Sequence, residues 1–190
     1  MGMLYKSKTI TRREVEEKLK TVGDYVKMDF LSSCLKMQID FDTKKYVLLK
    51  LAEVYELRRM FSEAARMIRN AAEINTTYDG KMNDFMKSCT LFIQGGNLDE
   101  ADASFGKALG CATDLQKGRI KTIRKDAVKA FAKEMMKRDK RSHAASAYEK
   151  LIGLELGPDE KREAQTTLLG LYEKLGKVKD YYNLKANMGN

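Results

Sequence analysis

One spacing recurs along this chain and restricts what it can fold into. Leu48-x2-Leu51-Ala52-x2-Tyr55 is followed by Ala64-x3-Ile68-x2-Ala71. The same order returns as Phe85-x2-Ser88-Cys89-x2-Phe92 with Ala101-x3-Phe105-x2-Ala108, and again as Val128-x2-Phe131-Ala132-x2-Met135 with Ala144-x3-Tyr148-x2-Leu151. Steps of three and four residues gather each set on one helix face. Small residues such as Ala52 or Cys89 on the first helix, and Ala64 or Ala101 on the second, let two antiparallel helices approach closely. A large residue, Phe105 or Tyr148, then fills the space to the neighbouring pair. Copies are offset by 37 and 43 residues. Such units bury their apolar faces only by stacking pair upon pair.

The punctuation between apolar stretches predicts ten helices. Thr11-Arg12-Arg13-Glu14 reads as a capping box for a helix over 12–22, with a turn at Gly23 and a second helix over 24–37. Asp42-Thr43 opens a helix over 44–58, and Ser62 reads as the cap of one over 63–75. Asn75-Thr76-Thr77, a match to a glycosylation sequon, reads as a helix-to-loop transition, and Tyr78-Asp79-Gly80 as a loop before a helix over 81–94. Gly95-Gly96 turns into a helix over 98–110, started by Asn97 and Asp99 and closed by Gly110. A long helix follows, ending near residue 138 with Gly118 a break near its start, then one from Ser142 to near Gly153. Pro158, with Asp159 and Glu160, starts a helix over 158–175, and Gly176 turns into a last one over 178–187.

This repeat resembles the tetratricopeptide family, whose W-x2-L-G-x2-Y and A-x3-F core recurs every ~34 residues. The resemblance covers residues 44–182 well and 11–37 loosely, and the family's closing proline is missing from the central copies. It implies a single all-α domain over 1–190, an α-α superhelix of about five antiparallel helix pairs. Residues 11–37 make a degenerate first pair, 44–75, 81–110 and 119–153 the central repeats, and 158–187 a capping pair. At the last copy Tyr181 stands in the alanine place and Lys185 in the large apolar place. At the first, residues 19–25 keep a similar turn with Met28 in the alanine place. Another helix-hairpin superhelix, of the kind in sorting-adaptor and proteasome-lid subunits, is the competing architecture. The family's carboxylate clamp does not carry over, because Leu49, Glu53 and Lys87 occupy the corresponding places.

Little in the chain suggests catalysis. His143 is the single histidine and sits in a helix-start region without a motif-like partner. Gly95-Gly96-Asn97 lacks the frame of a phosphate-binding loop, and no catalytic residue, metal site or cofactor is expected. Cys34, Cys89 and Cys111 are widely spaced, which fits a reducing compartment and thiols used as small hydrophobes. No apolar run approaches the ~18 residues of a membrane span, and no secretory leader is read at the start. Lys6 stands where a myristoylation motif beginning at Met1-Gly2 wants Ser or Thr. The expected location is the cytoplasm.

Charge is unevenly placed. The chain carries +9, and residues 115–141 alone carry eleven Lys or Arg against three Asp or Glu. Lys117, Lys121, Lys125, Lys129, Lys133, Lys137 and Arg141 fall every four residues, a stripe that winds around a helix. Three readings compete: a merely solvated face, a surface for an acidic protein segment, and contact with a nucleic-acid backbone. Only Phe131 among the aromatics lies here, and the repeat pattern buries it, so base stacking has no platform. In the tetratricopeptide-like frame, Lys125, Lys129, Lys133, Met136 and Lys137 are expected on the concave face. From the middle repeat Asn83, Met86, Thr90, Ile93 and Gln94 join them as partner-binding candidates. The expected function is a non-catalytic scaffold holding a protein segment, acidic where it meets the basic stretch. The alternative is a nucleic-acid-associated protein. Self-association through Tyr181, Tyr182 and Met188 is also open.

Overall fold

A computed structural model describes residues 9–188, so Met1, Gly2 and Lys6 lie outside the described residues. Within them the chain is an all-α superhelix of α1 (Arg12–Lys20), α2 (Asp24–Cys34), α3 (Phe41–Leu57), α4 (Phe61–Glu73), α5 (Tyr78–Gln94), α6 (Leu98–Cys111), α7 (Asp114–Lys137), α8 (Arg141–Ile152), α9 (Pro158–Leu175) and α10 (Val178–Met188). Consecutive helices pack side by side from α2 to α10, and α7 also leans on α5. No described helix is long and apolar enough to cross a membrane.

One turn is built four times. Arg59, Gly96, Asp139 and Gly176 all adopt a left-handed backbone, with φ of 58°, 78°, 52° and 68°. The residue after each donates its N–H five residues back: Met60 to Tyr55, Asn97 to Phe92, Lys140 to Met135 and Lys177 to Tyr172, each at 2.9 Å. This is the six-residue closure that satisfies orphan carbonyls at a helix end. The turn links α3 to α4, α5 to α6, α7 to α8 and α9 to α10, and its copies stand 37, 43 and 37 residues apart. The first two intervals are those of the apolar repeat. Thr21-Val22-Gly23 lacks the left-handed residue, with Gly23 extended at φ −76°, so the link from α1 to α2 is a different turn. Both of these helices pack on α3 instead of forming a fifth copy.

Helix starts depart from the expected ones where a side chain further back does the capping. Asp40, not Asp42, caps α3, accepting the Thr43 N–H at 2.9 Å and its hydroxyl at 2.6 Å. Thr77 accepts from the Gly80 N–H, so residues 78–80 form the first turn of α5, not a loop. Ser62 lies within the first turn of α4, whose cap is Met60, and Asn97 holds the cap position of α6 without a side-chain capping bond; its amide donates to the Ser62 hydroxyl at 2.6 Å and ties two repeats together. A Thr113–Gln116 capping box starts α7 early, and the helix runs unbroken through Gly118. Gly110 lies inside α6, which ends at Cys111.

The core follows the small-residue logic. Ala52, Ala64, Ala101, Ala108, Ala132 and Ala144 are all buried, and Phe92 and Ile68 fill the space between helices. Buried Ser88 donates to the Ala65 carbonyl at 2.9 Å and shares a hydrogen with Ser104 at 3.3 Å, so its polar group costs little. A smaller cluster of Val15, Leu31, Cys34, Val47 and Leu51 joins α1, α2 and α3, and Tyr55 and Met67 pack against both clusters. Between α6 and α7 the packing is sparse and polar: Arg124 reaches Asp102 at 2.5 Å, and Lys150 reaches across from α8 to Asp99 and Asp102 of α6 at 2.8 Å each.

Candidate partner-binding groove

Each sequence-derived site residue has a definite place. Lys125 and Lys129 turn toward α9, where both hold Glu160, at 3.4 and 2.7 Å. The hydrogen bond from Lys129, and next that from Lys125, keeps the Glu160 carboxyl below its ordinary range, and Glu160 in turn raises the Lys129 ammonium. Two of the four central lysines are thus engaged within the fold. Lys133 and Lys137 have no ion-pair partner among the described residues. Lys137 lies about 80° around the helix from Lys129 and about 20° from Ala130. Met136 is 39% exposed. The flanking cations are also paired: Lys117 with Asp114, Lys121 with Glu155 and Arg141 with Asp139.

On α5 the structure separates the candidates. Met86 and Ile93 are core side chains, 6% and 1% exposed, and offer no partner a surface. The physical reason is that α5 packs against α4, α6 and α7, so a second apolar stripe is buried where an open face was expected. Asn83 is exposed and donates to Asp79 at 3.2 Å, while the Thr90 hydroxyl folds back onto the Lys87 carbonyl at 2.9 Å. Gln94 is exposed at the C-terminal end of α5.

Gln94 opens onto a groove of about 700 Å³. Its walls come from three copies of the repeated turn, residues 59–63, 94–96 and 138–143, and from one side of α7. Met60, Phe61, Phe131 and Met135 supply the apolar part, and Ala127 and Ala130 leave the α7 wall low. Charge lies at the edges. Arg138 is held by Glu134 at 2.6 Å, whereas the side chains of Arg59 and Lys140 have no hydrogen-bond or ion-pair partner among the described residues. The unpaired carboxylate is Glu63, in the first turn of α4, where it offsets the positive helix end. The caps of α4 and α8, Met60 and Lys140, make no side-chain capping bond, so both helix starts keep their free N–H groups at this end of the molecule.

No family model matches the chain, and no curated protein matches it in sequence. The groove's own chemistry is therefore what carries a functional reading. Its size lies in the range of specific ligand pockets, about 300–1,000 Å³. His143 stands at its edge beside Gly96 and Phe131, with no acid–base partner among the described residues. No described group of three His, Cys, Asp or Glu side chains is placed to hold a metal ion. Cys89 is buried, and burial pushes its thiol up to about 12, the opposite of an activated nucleophile.

Two other surfaces bear on the basic stripe and the C-terminal end. A cleft of about 380 Å³ between α6, α7 and the link to α9 is lined by Lys117, Lys121, Arg124 and Lys125, each already bonded to a carboxylate. At the C-terminal end Tyr182 and Val178 are exposed. Tyr181 is half-buried edge-on to Tyr182 at 5.5 Å, and Met188 packs against the core. Sequence reasoning missed Arg59 and Lys140. The repeat register was the signal that points to them, because both belong to the turn between paired helices.

Proposed function

We propose that this chain is a non-catalytic interaction scaffold, tetratricopeptide-like in its repeats, which holds a segment of another protein while working in the cytoplasm. The observation that carries the reading is the groove of about 700 Å³, built jointly by three successive repeats. A surface assembled from successive repeats is long in one direction, which suits a chain segment better than a compact metabolite. Its mixture of aromatic, thioether and unpaired cationic side chains provides anchoring and orientation for such a segment. The resemblance of the repeat spacing to the tetratricopeptide pattern supports the same assignment.

Site-specific photo-crosslinking tests it. A photo-reactive residue at Ala130, on the groove wall, is compared with one at Arg66, exposed on α4. Protein adducts that form from position 130 and not from position 66 are the expected result. Adducts to nucleic acid from position 130, with binding that falls steeply between ~50 and ~200 mM salt, would instead favour the nucleic-acid reading.

A further inference from the structure

The four copies of the left-handed turn allow a comparison within one molecule. Glycine occupies the position twice, as Gly96 and Gly176, and glycine bears this backbone without a steric penalty. Asp139 is a tolerated substitute, since aspartate is enriched in this region, and its carboxylate receives Arg141 at 2.8 and 3.2 Å. Arg59 has neither excuse. A long side chain is held at φ 58°, and its guanidinium has no partner among the described residues. Strained backbone of this kind gathers at functional sites, and Arg59 stands on the edge of the groove.

Lys140 lies on the same groove, with Lys137 close to its wall on α7, and neither side chain has a partner among the described residues. Met60 and Phe61, both half-buried, line the same groove. Resting on the scaffold reading above, we infer that the groove's occupant is an acidic segment of a partner protein, with Arg59 and Lys140 receiving its carboxylates and a large apolar side chain seated against Met60 and Phe61. Charge complementarity selects this occupant. The side chains that would repel it are Glu63 and Glu134; Glu134 is already neutralised by Arg138, and Glu63 lies in the first turn of α4, where the positive helix end offsets it. The lysines of the sequence-derived stripe that meet α9 take no part, because Glu160 already holds them. Specificity therefore comes from the turns between paired helices, not from the long basic helix.

The test uses a random ten-residue peptide display library selected on the full chain, with Ala130→Trp as a groove-filling control. Ala130 is exposed, so the control retains its fold. Enriched peptides are expected to combine Asp or Glu with one large apolar residue. They should bind Arg59→Glu/Lys140→Glu about tenfold more weakly or worse, and Lys125→Glu/Lys129→Glu to within about twofold of the parent. Arg59→Gly supplies the decisive pairing of readouts: weaker peptide binding in a chain that unfolds at a higher temperature. Neutral or basic enriched peptides that still need an open groove would overturn the acidic occupant and leave the scaffold reading standing. Acidic peptides indifferent to positions 59 and 140 would do the same. Failure of any peptide to distinguish Ala130→Trp from the parent would overturn both.

Discussion

Replacing Arg59 by glycine and Gly176 by alanine perturbs the same turn in opposite directions. An L-residue in the left-handed region costs roughly 1–2 kcal/mol. Glycine gives back about 0.5–1 kcal/mol through the entropy of the unfolded chain. The Arg59 side chain makes no hydrogen bond, ion pair or ring contact among the described residues, and its backbone N–H bond to the Glu56 carbonyl is kept by glycine, so the substitution carries no compensating loss. The net expectation for Arg59→Gly is a gain of about 0.5–1 kcal/mol. At position 176 a Cβ would meet no atom within 4 Å, so Gly176→Ala tests the backbone alone, and a loss of about the same size is expected. For a chain of this length each kilocalorie moves the melting temperature by about 2–4 °C. The two variants should therefore shift by roughly 1–4 °C, upward and downward. Urea unfolding with matched slopes supplies the free energies. Shifts of the same sign, or an Arg59→Gly variant less stable than the parent, would refute the claim that positions 59 and 176 are one turn repeated.

Four further outcomes follow from the same structure. Ala101→Leu inserts bulk where α6 closes on its neighbours, at a side chain 1% exposed, and should cost about 1–3 kcal/mol by chemical denaturation. Gly95→Ala should cost more than Gly176→Ala, because its Cβ would lie 2.5 Å from the Ser62 hydroxyl and disturb the bond from Asn97; thermal melts of the two variants decide it. Cys89 is held protonated by burial, from an ordinary 9.0 up to about 12, so the unfolded chain ionises first. Its contribution to stability is complete below about pH 9 and is lost as pH rises toward about 12, which alkaline unfolding curves will show. Under native conditions at pH 8, alkylating reagents should label half-buried Cys111 ahead of buried Cys34 and Cys89.

The helices and their pairing were legible because apolar spacing and small residues are local signals. The offsets of 37 and 43 residues reappear as the spacing of a backbone turn. What could not be read was which helix face stays open. Met86 and Ile93 look like candidates for a mixed surface in one dimension, yet α5 has neighbours on three sides, and a second stripe goes under. Likewise a lysine every four residues says nothing about Glu160, thirty-one residues beyond Lys129, which engages two of them. The turn hid for a different reason. Two of its copies carry Arg59 and Asp139 in place of glycine, so composition does not mark them, and only the backbone φ does. Helix starts slipped by two or three residues wherever a cap lay further upstream, as Asp40 and Thr77 do.

The account stands most directly on where a bound segment lies. Amide chemical-shift mapping of the full chain, titrated with an acidic peptide enriched in the display selection, answers that. The predicted result is a contiguous set of shifts over residues 59–63, 94–96 and 138–143 and along the Ala127–Ala130 side of α7. Shifts confined to Lys125, Lys129 and the α9 surface around Glu160, with the three turns unmoved, would contradict it.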